Sequence, residues 1–209
     1  MNSYIVAIGD IEGSKKLDLK KRKQTQSSLE TVFQKLNREA DSIISPYTIT
    51  LGDEFQVVYH KADDLFKHIW AIMTAIHPVN VRISIGVGEI TTKINKDYAM
   101  GMDGSAFHKA RKNIEKMRKE KLLFSVSTDD KRFDRLINST FRIIGANIRK
   151  WNKNRFSILH KYYEGKEVKQ IAGEVGLSEV SVYKNIHAGT LDAILDLTDS
   201  ISESINDML

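Results

Sequence analysis

The chain has 209 residues, 41% hydrophobic and 28% charged, which is enough apolar material for a real core and far from a disorder-prone composition. It has no cysteine, which excludes disulfides and thiolate metal sites and fits a reducing, cytoplasmic setting. The net charge of +5 resides mid-chain: residues 1–108 carry 13 Lys/Arg against 13 Asp/Glu, residues 109–155 carry 15 against 5, and residues 156–209 carry 4 against 9. A basic band of this kind attracts phosphates, although such runs serve equally often as a solvated helix face. The opening apolar run, Tyr4 to Ile8, is too short for a signal or a membrane span, and no later stretch reaches about 18 apolar residues, so no membrane partner is expected.

Tyr4–Ile8 reads as a buried strand ending at Gly9-Asp10. A long helix follows, with Leu29, Val32, Phe33, Leu36, Ala40 and Ile43 at helical spacing. After Pro46 come a second strand, Tyr47–Leu51, a tight turn at Gly52-Asp53, and a third strand, Phe55–Tyr59. Leu65, Ile69, Ile72 and Ile76 mark a helix that stops at His77-Pro78, and Val79–Ile90 alternates as a fourth strand. Residues 91–103 read as a loop, 104–120 as a very basic helix and Leu122–Ser127 as a fifth strand. Phe133, Leu136, Ile137, Phe141, Ile144, Ile148 and Trp151 define an amphipathic connecting helix, with a break expected near Gly145.

The order β-α-β-β-α-β-α-β begins with the ferredoxin-like unit, an antiparallel sheet whose first two helices share one face. The expected class is therefore α+β: a ferredoxin-like palm over residues 1–128, a connecting helix over 129–152, and an all-α helix-turn-helix domain over 153–209. In such a sheet the first strand is central and lies beside the second-third hairpin, so Asp10 and Asp53 meet at one end. Paired carboxylates suit Mg²⁺, a hard cation that commonly bridges to phosphates. Each aspartate also has the simpler reading of a turn residue after glycine. Glu12 and Glu54 are candidates to join the cluster, and Ile11-Glu12-Gly13-Ser14 is expected to open a helix whose free N–H groups at Gly13 and Ser14 hold a phosphate.

At these residues the chain resembles known families. "IGDIEGS" is similar to the first metal-binding segment of class III adenylyl and guanylyl cyclases, and "ITLGDEFQVVY" to their second and to the GGDEF motif, with Leu51 in place of its first glycine. "VRISIGVGEI" resembles the strand that follows, and "MDGSAFHKARKNIEK" falls where the transition-state helix belongs. The chain as a whole resembles the SatD-type family. The resemblance implies Mg²⁺ on Asp10 and Asp53, base-reading residues at Ile49 and near Gly101, and transition-state groups at His108 and Lys112. Isoleucine and glycine cannot read a base edge, and lysine lacks the bidentate fork of arginine. The pattern therefore points to a nucleotide or phosphate binder more than to a standard cyclase, with His108, Lys109, Arg111 and Lys112 available to a phosphoryl group.

Residues 156–190 carry a second signal. Phe156, Leu159, Tyr162 and Tyr163 face one side of a helix ending at Gly165. "VKQIAGEVGLSEVSVYKNIHAG" then reads as helix, turn and helix, with Gly176 in the turn and Ser178 as cap. It resembles the DNA-binding domains of response regulators and sigma factors. The second helix would offer Glu179, Ser181, Lys184, Asn185 and His187 to a major groove, with Arg149, Lys150, Lys153 and Arg155 on phosphates. A last helix bearing Ile194, Leu195, Ile201, Ile205 and Met208 either packs on the chain itself or seams a homodimer. The leading expectation is a DNA-binding regulator whose palm senses a nucleotide or phosphorylated ligand with Mg²⁺. Its rivals are a Mg²⁺-dependent nucleotidyl transferase or cyclase, and a non-catalytic adaptor.

Overall fold

The computed structural model describes residues 3–39, 41–50 and 52–209, so the expectations placed on Ala40 and Leu51 lie outside the described residues. Strand parity explains its layers. Along β1 (Ser3–Ile11), Ile5, Ala7 and Ile11 enter one core while Val6 and Ile8 enter another, as a period of two requires. β3 (Glu54–Tyr59) divides in the same way, while β4 (Val81–Glu89) gives Val81, Ile83, Ile85 and Val87 to the first core and turns Arg82, Ser84, Gly86 and Gly88 to the other face; both strands are buried on both faces. The strand order is β2-β3-β1-β4-β5. Every pairing is antiparallel except that of β4 with β5 (Phe124–Ser127), which is parallel and makes the five-stranded sheet mixed.

β2 (Ile43–Ile49) starts earlier than its sequence suggests and includes Pro46. It is an edge strand, where the missing proline N–H costs no ladder bond, and its register slips on both sides of Ser45. Ile43, expected on the first helix, instead pairs with Tyr59, because α1 (Leu19–Glu39) has already ended.

α1 and α2 (Leu65–Ile76) cover one face, and α3 (Ser105–Glu120) covers the other. α3 sits close because β4 has no side chain at Gly86: a Cβ there would lie 2.2 Å from the Ala106 carbonyl oxygen. α4 (Lys131–Ile148) begins with Asp130 accepting from the N–H groups of Arg132 and Phe133. It runs unbroken through Gly145, against the expected break; a Cβ there would meet only Leu123, at 3.8 Å, so packing tolerates a straight helix.

The chain ends in α5 (Lys153–Tyr163), α6 (Val168–Val175), α7 (Glu179–Gly189) and α8 (Leu191–Asn206). Their apolar faces, from Phe156 to Ile205, join the same core as α1 and α2. α8 thus packs on its own chain through Leu191, Ile194, Ile201 and Ile205. The molecule is α+β, with eight α-helices among the described residues. No helix among them is long and apolar enough to cross a membrane.

Candidate functional site

Parity also builds the site. Asp10, Glu54 and Arg82 are register partners on adjacent strands, Asp10 opposite both Glu54 and Arg82, and they share the α3 face at one end of the sheet. α3 lies over them and brings Arg111 and Arg118, two turns apart, onto their carboxylates. Arg82 Nη1 donates to Asp10 Oδ2 at 2.9 Å, and its Nη2 to Glu12 at 2.9 Å. Arg118 grips Asp10 with Nη2 on Oδ1 at 2.5 Å and Nε on Oδ2 at 3.3 Å, and lies 3.6 Å from Glu54. Arg111 pairs with Glu54, and Arg149 from the end of α4 pairs with Glu12. Three carboxylates, Asp10, Glu12 and Glu54, are thus interleaved with four arginines: Arg82 on β4, Arg111 and Arg118 on α3, and Arg149 just past α4.

The electrostatics follow from this lattice. Asp10 is only 3% exposed, a burial that an isolated carboxylate would not tolerate. Burial opposes ionisation of Glu12, but Arg149 and Arg82 outweigh it and hold the carboxyl below its usual range. The hydrogen bond to Asp10 pushes the Arg118 guanidinium further toward its charged form. Arg82 is 8% exposed, and its Nε finds no acceptor among the described residues.

The two aspartates singled out from the sequence line one open cleft of about 400 Å³, together with Gly13, Ser14, Lys15, Lys16, Arg82 and Arg118. Asp53 is anchored there by the Ser14 hydroxyl, and its carbonyl accepts the Ile11 N–H at 2.9 Å. The helix expected to open at Gly13-Ser14 is a single 3-10 turn, Ser14–Lys16, because Leu17 returns to extended backbone before α1 starts. Its free N–H groups are accordingly fewer than a helix would offer. Ile49 turns toward the α1/α2 core, opposite the Asp10 face, and Gly101 lies in the 93–101 loop cavity. His108 pairs with Asp103 at 3.1 Å near the start of α3, about 15 Å along the helix from Arg118 at 1.5 Å per residue. Lys112 is exposed. Neither lines the cleft.

The donor set does not fit the expected Mg²⁺. That ion demands several oxygens in near-octahedral array, yet both Asp10 oxygens are occupied by guanidinium groups and Asp53 is held by Ser14. Among the described residues no group of three or more His, Cys, Asp or Glu is arranged to hold a metal. A second cleft, about 450 Å³ between α1, α2 and α5, is lined by Val32, Lys35, Leu36, Glu39, Lys67, His160 and Glu164 among others; Lys35 lies 3.8 Å from Glu39, and no arginine lines it.

In the C-terminal helices, Lys184 and His187 are exposed on α7. Ser181 and Asn185 are half-buried: the Ser181 N–H donates to Ser178, and Asn185 donates to the Ser181 carbonyl while accepting from Arg155 at 3.4 Å. Arg149 is spent on Glu12, and Arg155 lies 5.9 Å from the Trp151 ring centroid. Sequence reasoning missed Arg82, Arg118, Lys15 and Lys16; it offered Arg111 to a phosphoryl group, and the structure pairs Arg111 with Glu54. The available signal was Arg82 inside the otherwise apolar and small run of β4, and the two-turn spacing of Arg111 and Arg118.

A family model described as the SatD family matches residues 4–203. No curated protein matches the chain. Among solved structures, the chain is similar to the catalytic core of a rhodopsin-guanylyl cyclase with converted specificity in complex with ATPalphaS (17% identity, TM-score 0.40, 53% of this chain and 70% of that one). It is also similar to a bacterial light-regulated adenylyl cyclase (15% identity, TM-score 0.43, 60% and 76%). A third is the guanylate cyclase domain of RhGC from Catenaria anguillulae in complex with GTP (16% identity, TM-score 0.39, 53% and 70%).

Proposed function

The chain belongs to the SatD family, and from that premise we propose that its sheet-end cleft binds the phosphates of a nucleotide or other phosphorylated ligand. The observation that carries this reading is the lining: Lys15, Lys16, Arg82 and Arg118 line, with Asp10 and Asp53, a cleft of about 400 Å³, a volume in the range of small-ligand sites. Lysine supplies point charge and arginine a planar fork, the two ways side chains hold phosphate. Base selection of the cyclase kind has no support, since Ile49 is turned into the core and Gly101 has no side chain. The chain is therefore a binder whose cyclisation of ATP or GTP is weak or absent.

A nucleotide screen that reads thermal shift and product together tests this. At a ligand concentration 100-fold above Kd, linkage supplies about 2.7 kcal/mol, and a domain of this size gains roughly 2–4 °C per kcal/mol. A shift of several degrees without cyclic product is the expected result. No shift from any phosphorylated ligand sinks the reading. Cyclic nucleotide that disappears in Asp53→Ala puts the enzyme in its place.

A separate observation favours a DNA-binding role for the C-terminal helices. Gly176, at a left-handed φ of 68°, closes α6, and Ser178 caps α7 by accepting the Ser181 N–H at 3.2 Å. The α6–turn–α7 unit reads as a helix-turn-helix, with Tyr183, Lys184 and His187 outward on α7. Lys184→Ala is expected to weaken duplex binding and to flatten its salt dependence by about one unit. Fluorescence anisotropy with fragments of the protein's own promoter region measures both. If no fragment binds at low salt, the exposed Val180 and Tyr183 argue for a protein partner instead.

A further inference from the structure

The carboxylates that a divalent cation would use are already satisfied by cations of the chain itself. Building on the phosphate-binding reading, we infer that Arg118 and Arg82 stand where a metal ion would stand, so that the cleft takes a polyphosphate without any divalent cation.

Three observations carry this. The first is charge: four cations line the cleft against two carboxylates, so the lining keeps a positive surplus even with Asp10 and Asp53 ionised. The second is the shape of the Arg118 contact. Asp10 takes the Nε–Nη2 side of the guanidinium, while Nη1 makes no hydrogen bond among the described residues and the side chain is 48% exposed. A carboxylate on one edge fixes the plane and leaves the terminal edge for a phosphate, which arginine accepts in bidentate fashion. The third is Arg82. It lines the cleft, is 92% buried by its 8% exposure, and has an Nε with no acceptor among the described residues. Buried guanidinium N–H groups without partners are rare, and this one belongs to a side chain that lines the cleft.

A metal ion at Asp10 would first have to displace Arg118, breaking two hydrogen bonds, and would then lie beside the buried Arg82 charge. A phosphate needs neither change. The polyphosphate can sit on Arg118 Nη1 with Lys15 and Lys16 along its length, both exposed on the turn after β1.

The test is calorimetric titration of the full chain with inorganic tripolyphosphate and with ATP, once in EDTA and once in Mg²⁺. The expected result is binding in EDTA at least as tight as in Mg²⁺, because the metal only masks ligand charge. Arg118→Ala should weaken it roughly tenfold or more, as loss of a charge-assisted contact does, with Arg118→Lys between the two. Binding that appears only with Mg²⁺ overturns the inference and leaves the phosphate reading standing. No binding under either condition defeats both. Should Arg118→Ala lack a cooperative unfolding transition, the double variant Lys15→Ala/Lys16→Ala, confined to the exposed turn, decides: weakened binding in EDTA supports the inference, and unchanged affinity contradicts it.

Discussion

His68 lies on α2 between two buried tyrosines, its Nδ1 2.8 Å from the Tyr59 hydroxyl, which in turn meets the Tyr47 hydroxyl. Burial lowers the imidazole from 6.5 to about 4, against the opposing pull of Asp64, so His68 is neutral in the folded chain at neutral pH. The unfolded chain takes up a proton near pH 6.5 that the folded chain refuses until about pH 4. Stability is therefore full above that upper value and falls as the pH drops through the window, with a slope of up to about 1.4 kcal/mol per pH unit from this one group. Burial lowers His160 as well, so the wild-type slope contains both histidines. Urea unfolding of wild type and His68→Gln between these limits isolates the His68 share: the variant should show the shallower loss, and identical slopes would contradict a buried neutral imidazole.

At the level of single residues, the aspartates were legible because each follows a glycine at a strand end. Their arginine partners were not, since the Asp10 contacts to Arg82 and Arg118 span 72 and 108 residues and depend on which strand becomes whose neighbour.

Among the elements, α3 decides how well the site is assembled, because it carries Arg111 and Arg118 and rests on β4 where side chains are absent. A Cβ at Gly86 would fall 2.2 Å from the Ala106 carbonyl oxygen and 2.7 Å from the Ala110 nitrogen, both backbone atoms that cannot rotate away. Gly86→Ala must lift the helix. It is expected to cost about 1–3 kcal/mol in urea unfolding, in the range of overpacked cores, and to weaken phosphate binding although no cleft residue has changed. Unaltered stability would show that α3 does not need this close approach.

Element types were largely readable from the sequence: the apolar run of β1, the alternation of β4 and the helical spacing on α2 and α4 each marked an element. Boundaries were less so. The apolar Ile43 extends the helical spacing of α1 as naturally as it opens β2, and only its pairing with Tyr59 settles the choice. The mixed character of the sheet was hidden for a similar reason, as the direction of β5 depends on α3 crossing to the opposite face.

Across the whole molecule, one apolar core runs from β1 to α8. α8 is also tied to the loop before α2, where Asn206 accepts from the Ala62 N–H at 2.7 Å and donates to Asp63 at 2.7 Å. Trp70, on α2, and Trp151, before α5, are both buried in this core. The continuity predicts one cooperative unfolding transition, with tryptophan fluorescence and far-ultraviolet circular dichroism coincident in urea. Two separated transitions would mean that the C-terminal helices hold together without the sheet. Arg149, just past the end of α4, pairs with Glu12 beside the cleft and so ties the segment that leads into the C-terminal helices to the site.

The most direct test of the proposed phosphate site is a crystal structure of the full chain with a non-hydrolysable nucleoside triphosphate analogue. The account predicts phosphate oxygens within about 3 Å of the Arg118 guanidinium and alongside Lys15 and Lys16. A ligand seated instead in the groove between α1, α2 and α5, or phosphates held away from Arg118, would contradict it.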